Sequence, residues 1–292
     1  MNGGKRGEMQ TLAGNRSLEK SNGFRPKKRL GQYFLRDGDI INGIISVADF
    51  DKSDQILEIG AGLGALTIPA AKSVHDVIAV EKDDRLVEIL KKKLLNSDIH
   101  NVTLINDDIL KVDLPRILGN HSRKIKVVGN LPYNISSPLL ERLINNRNIL
   151  GRAILMFQAE FAKRLIASPG NRDYGALTVL MQYHAYLSPL IEVPKEAFYP
   201  KPKVGSMVLE LDLNKPHPRR AADDERFKMV VKGAFAYKRK TLLNSLRRTF
   251  SSHGTNDILA AMSDCAMDSL KRAESLTIDD FIRLTSAMSS HS

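Results

Sequence analysis

The fold is decided by residues 55–64, which read QILEIGAGLG. Gln55 to Ile59 forms a short apolar run typical of a buried strand, and the glycines after it let the chain turn without a Cβ in the way. A helical stretch follows from Ala65 to Lys72, although Pro69 should bend or shorten it. This strand, turn and helix predict a loop where bare backbone can approach a nucleotide-like ligand.

The glycine pattern alone admits two classes of cofactor. GxGxxA, beginning at Gly60, satisfies the dinucleotide fingerprint, whereas GxGxG preceded by Glu58 is the spacing of methyltransferases that use S-adenosylmethionine. Glu81 ends the next predicted strand, Val77 to Val80. A carboxylate there can accept hydrogen bonds from both hydroxyls of a ribose, which NAD and S-adenosylmethionine share. An ordinary tight turn and a solvated acid are the alternatives.

Strands and helices continue to alternate along the chain. Further strands are predicted at 102–105, 126–128 and 153–157, and helices at 84–95, 138–145 and 161–167. Such alternation favours right-handed crossovers, so the predicted fold class is α/β with a doubly wound, mostly parallel, Rossmann-like sheet. Residues 177–186 are apolar but fit a strand or a helix. Residues 206–213, bracketed by prolines, are predicted to form an edge strand.

Composition predicts three regions. Residues 1–24 are polar and glycine-bearing and are expected to be a flexible arm. Residues 25–214 form the Rossmann-like domain, and Pro216 and Pro218 mark the start of a small all-helical domain at 215–292. Its helices are expected at 225–250, 256–262 and 277–288. No run approaches the ~18 apolar residues of a membrane span, so a soluble protein is expected.

The chain is basic. Its 44 Lys and Arg residues outnumber 33 Asp and Glu, which gives a formal net charge of +11 and favours a polyanionic partner. Runs that could follow phosphates, each with a solvated helix face as the alternative, contain Arg25, Lys27, Lys28, Arg29, Arg219, Arg220, Lys238, Arg239, Lys240, Arg247 and Arg248.

The number and spacing of the cysteines and histidines limit the redox and metal chemistry that the chain can support. Cys265 is the single cysteine, so an internal disulfide is impossible, and a reducing compartment, by default the cytoplasm, is expected. The seven histidines share no ligand spacing, and no metal is predicted.

A second motif, Asn130-Leu131-Pro132-Tyr133, follows the apolar run 125–128 and suits a flat base that carries an amine. Such an amine is a poor nucleophile because its lone pair is delocalised into the ring. Hydrogen bonds to the Asn130 side-chain oxygen and to a main-chain carbonyl near Leu131 or Pro132 would favour a pyramidal nitrogen, with Tyr133 stacking on the base. The alternative is a strand-end turn with a core tyrosine.

Three further residues are candidates for the same site. Asp108, at the end of the third strand, could accept a hydrogen bond from the cofactor's adenine amine, and neither it nor Glu81 has an obvious salt-bridge partner in the sequence. Phe198 could sandwich an extruded base, with Lys203 close by for a phosphate. Packing of Phe198 beneath the loop is equally consistent with the sequence.

From Lys27 to Met288 the chain resembles the small-subunit ribosomal RNA adenine dimethyltransferases, the kasugamycin-sensitivity methyltransferase family. Besides the glycine loop, the resemblance is carried by the motifs at 31–35, 130–136, 174–175, 192–194, 198–204, 239–246 and 272–274. It implies transfer of four methyl groups from S-adenosylmethionine to N6 of two adjacent adenosines, in a hairpin loop near the 3′ end of small-subunit RNA. Coupling to assembly of the small subunit, and a monomeric enzyme, are also expected.

The resemblance assigns roles to particular residues. The cofactor positions carry over to Tyr33, Leu35, Gly60, Glu81, Asp108 and Asn130, and Gly62 belongs to the same loop. The chain departs from the family's usual residues at Tyr33 (Asn or His), Ala61 (Pro), Ala159 (Lys) and Gly205 (Asp). At Tyr33 a contact through the backbone would survive the change of side chain.

Other functions remain open. The large-subunit RNA methyltransferases of macrolide resistance share the loop and the acceptor motif, although the helical C-terminal segment with its motif at 272–274 favours the small-subunit enzymes. DNA adenine and protein glutamine methyltransferases typically have Pro-Pro-Tyr where this chain has Leu131-Pro132-Tyr133. A non-catalytic factor that gauges ribosome maturation is a further alternative.

Overall fold

The computed structural model describes Pro26 and residues 31–119, 123–250 and 254–291. The predicted arm and the basic residues Arg25, Lys27, Lys28 and Arg29 lie outside these ranges. The strands are β1 (Phe34–Leu35), β2 (Gln55–Ile59), β3 (Asp76–Glu81), β4 (Val102–Asn106), β5 (Ile125–Asn130), β6 (Leu150–Gln158), β7 (Tyr186–Val193), β8 (Phe198–Tyr199) and β9 (Ser206–Asp212).

Seven strands form one sheet in the order β4-β3-β2-β5-β6-β9-β7, and β1 pairs antiparallel with β8. β2 pairs in parallel with both β3 and β5, and the pairs β3–β4 and β5–β6 are also parallel. The chain moves outward from β2 to β4 and then returns to the other side of β2 at β5. Ligands bind at such a switch point, beyond the carboxyl ends of the strands. The predicted fold class is confirmed.

The helices connect these strands or follow them. They are α1 (Gly38–Ala48), α2 (Thr67–Ala71), α3 (Asp84–Asn96), α4 (Leu114–Leu118), α5 (Ser136–Asn145), α6 (Ala159–Leu165), α7 (Ala176–His184), α8 (Asp224–Phe235), α9 (Leu242–Thr249), α10 (Thr255–Asp264) and α11 (Ile278–Ser290). Asp37, Asp83 and Asp113 accept backbone N–H groups at the starts of α1, α3 and α4. These caps fix where the helices that flank the sheet begin.

The central strands of the sheet are buried and lie close together. Ile56, Leu57 and Ile59 of β2 are fully buried, as expected for a parallel strand covered on both faces. β2 and β5 approach closely at Gly129, where a Cβ would lie 2.7 Å from the Ile59 carbonyl oxygen. A larger residue at this position would separate the two strands that meet at the switch point.

Two predictions about the later strands were wrong or incomplete. β9 lies between β6 and β7 and is not an edge strand, and its residues Val208, Leu209 and Leu211 are buried. The edge strand is β7, which was not predicted because the prolines in this region suggested a loop. The unassigned segment 177–186 is mostly helix α7, and it ends where β7 begins.

The helix predicted at 225–250 is interrupted. α8 ends at Phe235, and Thr241 accepts the Asn244 N–H to start α9 anew. The Leu242 N–H donates to the Lys271 carbonyl at 2.7 Å, which ties this loop to a distant turn. The basic residues between the two helices therefore lie on a loop, not on a helix face.

The described residues fall into two compact units. One contains the residues up to Ala162 together with Ser188–Leu211, and the other contains Lys163–Leu187 together with the residues from Asp212 onward. The second boundary is close to the predicted one at 214/215, but the inclusion of Lys163–Leu187 with the C-terminal helices differs from the prediction.

A cluster around Tyr183 explains this grouping. Its ring stacks on Phe227 with centroids 4.0 Å apart, and its hydroxyl donates to Asp224 at 2.7 Å. The Arg220 guanidinium lies 3.7 Å from the centre of the same ring and bridges to Asp224. Arg220, which was expected to follow phosphates, is therefore held within the protein by these contacts.

Candidate active site

A cleft with about 1110 Å³ of empty space, partly open to solvent, lies at the carboxyl ends of β2, β3 and β5. The glycine loop, Glu81 and Asp108 line one end, which we call the donor end. Asn130 to Ile135 line the other, the acceptor end, and residues 31–35 contribute to the same wall. The cleft is continuous from Gly60 to Tyr133. The two sequence motifs therefore face a common space.

The glycine loop is shaped by backbone geometry. Gly60 and Gly62 have φ values of +75° and +56°, which side chains disfavour. The Gly60 N–H donates to the Val80 carbonyl at 2.9 Å, so the loop is attached to the end of β3. The loop consequently presents bare backbone to the cleft, as its spacing predicts.

Glu81 holds the loop in place. One carboxylate oxygen accepts the Gly62 N–H at 2.9 Å, and the other accepts the Asp83 N–H at 2.8 Å. Burial raises the pKa of Glu81 above its ordinary value, while these hydrogen bonds oppose the rise. Each oxygen keeps a second lone pair, which is available to a ribose hydroxyl. The residue can thus shape the loop and bind a sugar at the same time.

Glu58 is a cleft residue that the sequence identified only as part of the glycine pattern. Its side chain is nearly inaccessible, with 2% relative exposure, and its Oε2 atom has no hydrogen-bond partner among the described residues. Burial raises its pKa to about 8, and repulsion from Glu81 adds to the rise. A buried acceptor without a partner fits a ligand that brings a donor or a positive charge, and S-adenosylmethionine carries both.

Asp108 is not a free acid, contrary to the sequence-based expectation. Its carboxylate accepts from Lys82 Nζ at 2.7 Å and from the Leu110 N–H at 3.0 Å. Burial acts to raise the pKa of Asp108, but these two contacts outweigh it and the pKa is lowered. The Arg142 guanidinium donates to the carbonyls of Leu110 and Val112 and so fixes the loop that carries Asp108. The Lys82 partner was missed because it approaches from a separate element, 26 residues earlier in the chain.

At the acceptor end, the Asn130 side chain has a defined orientation. Its Nδ2 donates to the Tyr33 carbonyl at 2.9 Å. Because the amide nitrogen is engaged by that carbonyl, the Oδ1 atom is the one left to accept. The Leu131 N–H approaches the Met156 carbonyl at 3.4 Å, and the Ile135 N–H donates to the Pro132 carbonyl at 3.2 Å. The turn is therefore anchored at both of its ends.

Tyr133 is supported by two residues from distant parts of the chain. Its ring stacks on Tyr33 with centroids 5.3 Å apart and an interplanar angle of 28°. Its hydroxyl lies 3.0 Å from Ser206 Oγ. Burial raises the pKa of Tyr133, so the phenol stays neutral at physiological pH. Ser206 carried no signal in the sequence, since it is 73 residues away in an unrelated strand.

Phe198 does not line the cleft. Its side chain is 5% exposed and belongs to the hydrophobic core, opposite Leu35 in the β1–β8 ladder. This placement favours the packing alternative over a base sandwich. Leu35 is also buried but does contribute to the cleft wall.

The predicted RNA-binding residues within the described ranges are all exposed: Lys203, Lys238, Arg239, Lys240, Arg247 and Arg248. Arg248 lies over the ring of Tyr237, 5.2 Å from its centre. Among the described residues, no three His, Cys, Asp or Glu side chains form a group suited to a metal ion. In the same ranges, no helix is both long and apolar enough to cross a membrane.

The strand order, the glycine loop after β2 and the carboxylate that ends β3 define a Rossmann-like methyltransferase. Residues 23–289 match the family model described as ribosomal RNA adenine dimethylase, and the chain belongs to that family. It is accordingly an rRNA adenine methyltransferase that uses S-adenosylmethionine. The recognition of this family from the sequence is confirmed.

Curated relatives are similar along nearly their whole length. The chain is 44% identical over 263 residues to the ribosomal RNA small subunit methyltransferase A of Desulforapulum autotrophicum, covering 90% of this chain and 92% of the relative. It is 38% identical over 285 residues to the protein of the same name from Shouchella clausii, covering 96% of each.

Two solved structures are also similar. A dimethyladenosine transferase from Plasmodium falciparum has a TM-score of 0.72 and 28% identity, covering 86% of this chain and 95% of that one. The 23S rRNA methyltransferase ErmE has a TM-score of 0.66 and 25% identity, covering 88% and 99%.

Proposed function

We propose that this enzyme dimethylates N6 of two adjacent adenosines in the 3′-terminal hairpin loop of small-subunit ribosomal RNA. It acts as a monomer on immature small subunits in the cytoplasm. The observation that carries the proposal is the continuous cleft between the glycine loop and Asn130. The Tyr33 carbonyl accepts from the Asn130 amide nitrogen, so the amide oxygen is left to accept a hydrogen bond from the substrate. The curated relatives named above support the small subunit as the target.

Seven residues would hold the cofactor, and two of them, Tyr33 and Asn130, lie toward the acceptor end. Gly60 and Gly62 would offer bare backbone, Glu81 the ribose acceptors, and Asp108 an acceptor for the adenine amine, with Leu35 as an apolar wall. When bound, S-adenosylmethionine supplies an activated methyl group on a sulfonium. Glu58 lines the same cleft and would offer its unpartnered Oε2 atom to a donor group of the cofactor.

The acceptor end would activate the adenine amine without a general base. Asn130 Oδ1 accepts one N–H, and a main-chain carbonyl near Leu131 or Pro132 accepts the other, which localises the nitrogen lone pair. Tyr133 stacks on the base, and its bond to Ser206 keeps the ring in one orientation. The proton can leave to water after transfer, because the methylated nitrogen is strongly acidic.

Two methyl groups on one nitrogen place a further demand on this end. A monomethylated amine retains a single N–H, so one of the two acceptor bonds must be dispensable in the second step. We therefore expect the Asn130 side chain and the main-chain carbonyl to be used unequally in the two transfers.

The decisive experiment incubates the protein and labelled S-adenosylmethionine with immature small subunits and, in parallel, with large-subunit RNA. Dimethyladenosine mapped to two adjacent positions of the small-subunit hairpin loop is expected. Labelling of the large-subunit RNA alone would contradict the proposed target. Binding of small subunits with no methyl transfer to either RNA would point to an assembly factor.

The exposed basic loop between α8 and α9 offers a test of RNA binding. Neutralising Lys238, Arg239 and Lys240 should weaken RNA binding and reduce its salt dependence, since each lysine or arginine that contacts a phosphate releases counterions. Affinity for S-adenosylmethionine, measured by calorimetry, should not change. Equal losses of both affinities would show that the loop is structural. The further proposed contacts are Arg25, Lys27, Lys28, Arg29, Lys203, Arg247 and Arg248.

A further inference from the structure

Tyr199 is an exposed aromatic residue in the same compact unit as the cleft, and the mechanism above gives it no role. It lies in β8, and 41% of its surface is accessible. The Arg36 guanidinium carbon lies 4.0 Å from the centre of its ring. A cation at this distance holds an aromatic ring in a defined orientation. The pair therefore forms an oriented flat surface.

The pair is attached to β1, which directly follows the residue that positions the acceptor amide. Tyr199 is paired with Phe34 in the β1–β8 ladder, and the Arg36 N–H donates to the Ala197 carbonyl at 2.8 Å. Side chains alternate along a strand, so Phe198 turns into the core while Tyr199 turns outward. Tyr33, the residue immediately before β1, provides the carbonyl that holds Asn130. Only a short stretch of backbone thus separates the pair from the acceptor end.

The charges around Tyr199 favour a nucleic acid as its partner. Lys195, Lys201 and Lys203 are exposed in the same segment, with Lys201 bridged to Glu196 at 2.7 Å. An accessible aromatic ring beside an arginine, with lysines in the adjoining chain, is an arrangement with which proteins stack unpaired bases and follow the backbone. A protein partner would be expected to favour a more apolar surface with fewer lysines.

We infer that Tyr199 and Arg36 form a stacking subsite for the nucleotide next to the adenosine whose N6 occupies the acceptor end. The inference rests on the proposed function, in which the neighbour is also an adenosine. A purine has a large stacking surface, and its capture would favour extrusion of the target base. Tyr199 would thus be a specificity-determining residue outside the family's acceptor motif.

The test compares Tyr199→Ala with Tyr199→Phe, which keeps the ring and loses only the hydroxyl. With immature small subunits as substrate, Tyr199→Ala should raise KM roughly tenfold, as expected for the loss of one base–aromatic stack. Tyr199→Phe should behave like the wild type. Calorimetric affinity for S-adenosylmethionine should be the same in all three proteins, which also shows that the variants are folded.

A spectroscopic measurement distinguishes stacking from a structural effect. A loop RNA oligonucleotide with 2-aminopurine in place of the neighbouring adenosine should be quenched on binding to the wild type and to Tyr199→Phe. Tyr199→Ala should leave it bright at saturating protein. Unchanged quenching and KM in Tyr199→Ala, with normal dimethylation by the wild type, would overturn the subsite alone. Wild-type methylation at a different RNA site would instead overturn the proposed function.

Discussion

The donor and acceptor ends of the cleft are built in different ways. The donor end is mainly backbone: Gly60 and Gly62 form the surface, and Glu81 holds it by accepting main-chain N–H groups. The acceptor end is mainly side chain, and Asn130 and Tyr133 depend on partners far away in the sequence. Changes at the donor end should therefore act on cofactor affinity, and changes at the acceptor end should act on rate.

The largest effect is expected for Asn130→Ala. The loss of a preorganised group of this kind typically lowers kcat by roughly 10²–10³-fold. The loss of affinity for S-adenosylmethionine should be much smaller, and the ratio of monomethyl to dimethyl product should change. Single-turnover rates, nucleoside analysis and calorimetry measure the three quantities.

Asn130→Asp is the matched control, because it keeps an acceptor oxygen but loses the donor to the Tyr33 carbonyl. If Asn130→Ala lost as much affinity for S-adenosylmethionine as it lost rate, the proposed division between the two ends of the cleft would be contradicted. An unchanged rate and product ratio in Asn130→Ala would contradict the unequal use of the two acceptor bonds.

Glu58→Gln tests a buried carboxyl at the donor end whose Oε2 atom has no hydrogen-bond partner among the described residues. The pKa of Glu58 is raised from 4.5 to about 8 in the folded protein. Its contribution to stability is therefore fully present below about pH 4.5 and is lost as the pH rises toward 8. Glutamine cannot ionise, so the variant should gain in free energy of unfolding relative to the wild type, by on the order of 3–4 kcal/mol between pH 5 and pH 8.

Urea denaturation at several pH values measures this difference. If the free energy of unfolding changed with pH in the same way in the wild type and in Glu58→Gln, Glu58 would ionise near its ordinary pKa. The donor end would then contain an ordinary carboxylate, and the fit to a cationic ligand would lose its main support.

Gly60→Ala should act mainly on the cofactor. A side chain at positive φ costs about 1–2 kcal/mol, and at Gly60 this strain bears on the loop itself. Affinity for S-adenosylmethionine should fall roughly tenfold if the loop relaxes to relieve the strain. Gly170→Ala is the control, since Gly170 also has a positive φ of +87° but has no atoms within 4 Å of an added Cβ. Equal affinities of the two variants, measured by calorimetry, would indicate that loop geometry does not set cofactor binding.

The smallest effect is expected for Lys82→Met. The Lys82–Asp108 ion pair is partly exposed, and such pairs contribute about 0–1 kcal/mol, so affinity for S-adenosylmethionine should change less than about fivefold. Lys91→Met is the control because it breaks the exposed pair with Glu88, which lies outside the cleft. A large loss in Lys82→Met would show that Asp108 needs its partner in order to bind, and that the donor end also depends on side chains.

The same contrast explains how much the sequence could predict. The loop and the proposed ribose-binding carboxylate of the donor end lie between Glu58 and Asp83, so local spacing was sufficient to identify them. The supports of the acceptor end come from Tyr33 and Ser206, 97 and 73 residues away from their partners. No local pattern encodes such contacts. The Lys82 partner of Asp108 was missed for the same reason, because it lies 26 residues earlier.

The fold shows the same limit. The first five strands of the sheet were placed by apolar runs, which are reliable in a parallel sheet buried on both faces. β7 was missed because its Pro189 suggested a loop, and the position of β9 depends on long-range pairing that alternation cannot reveal. For Phe198, sequence left two equal alternatives, since only the register of β8 against β1 decides which way its side chain turns.

The contact between the Asn130 amide and the Tyr33 carbonyl bears on how such an enzyme can diverge. The amide of Asn130 is aimed by the main-chain oxygen of Tyr33, an atom that every amino acid supplies. A substitution at residue 33 can therefore change the ring that stacks on Tyr133, while the main-chain oxygen continues to orient the Asn130 amide. Such a substitution should act on the stacking of the base, through Tyr133, and not on the orientation of the Asn130 amide.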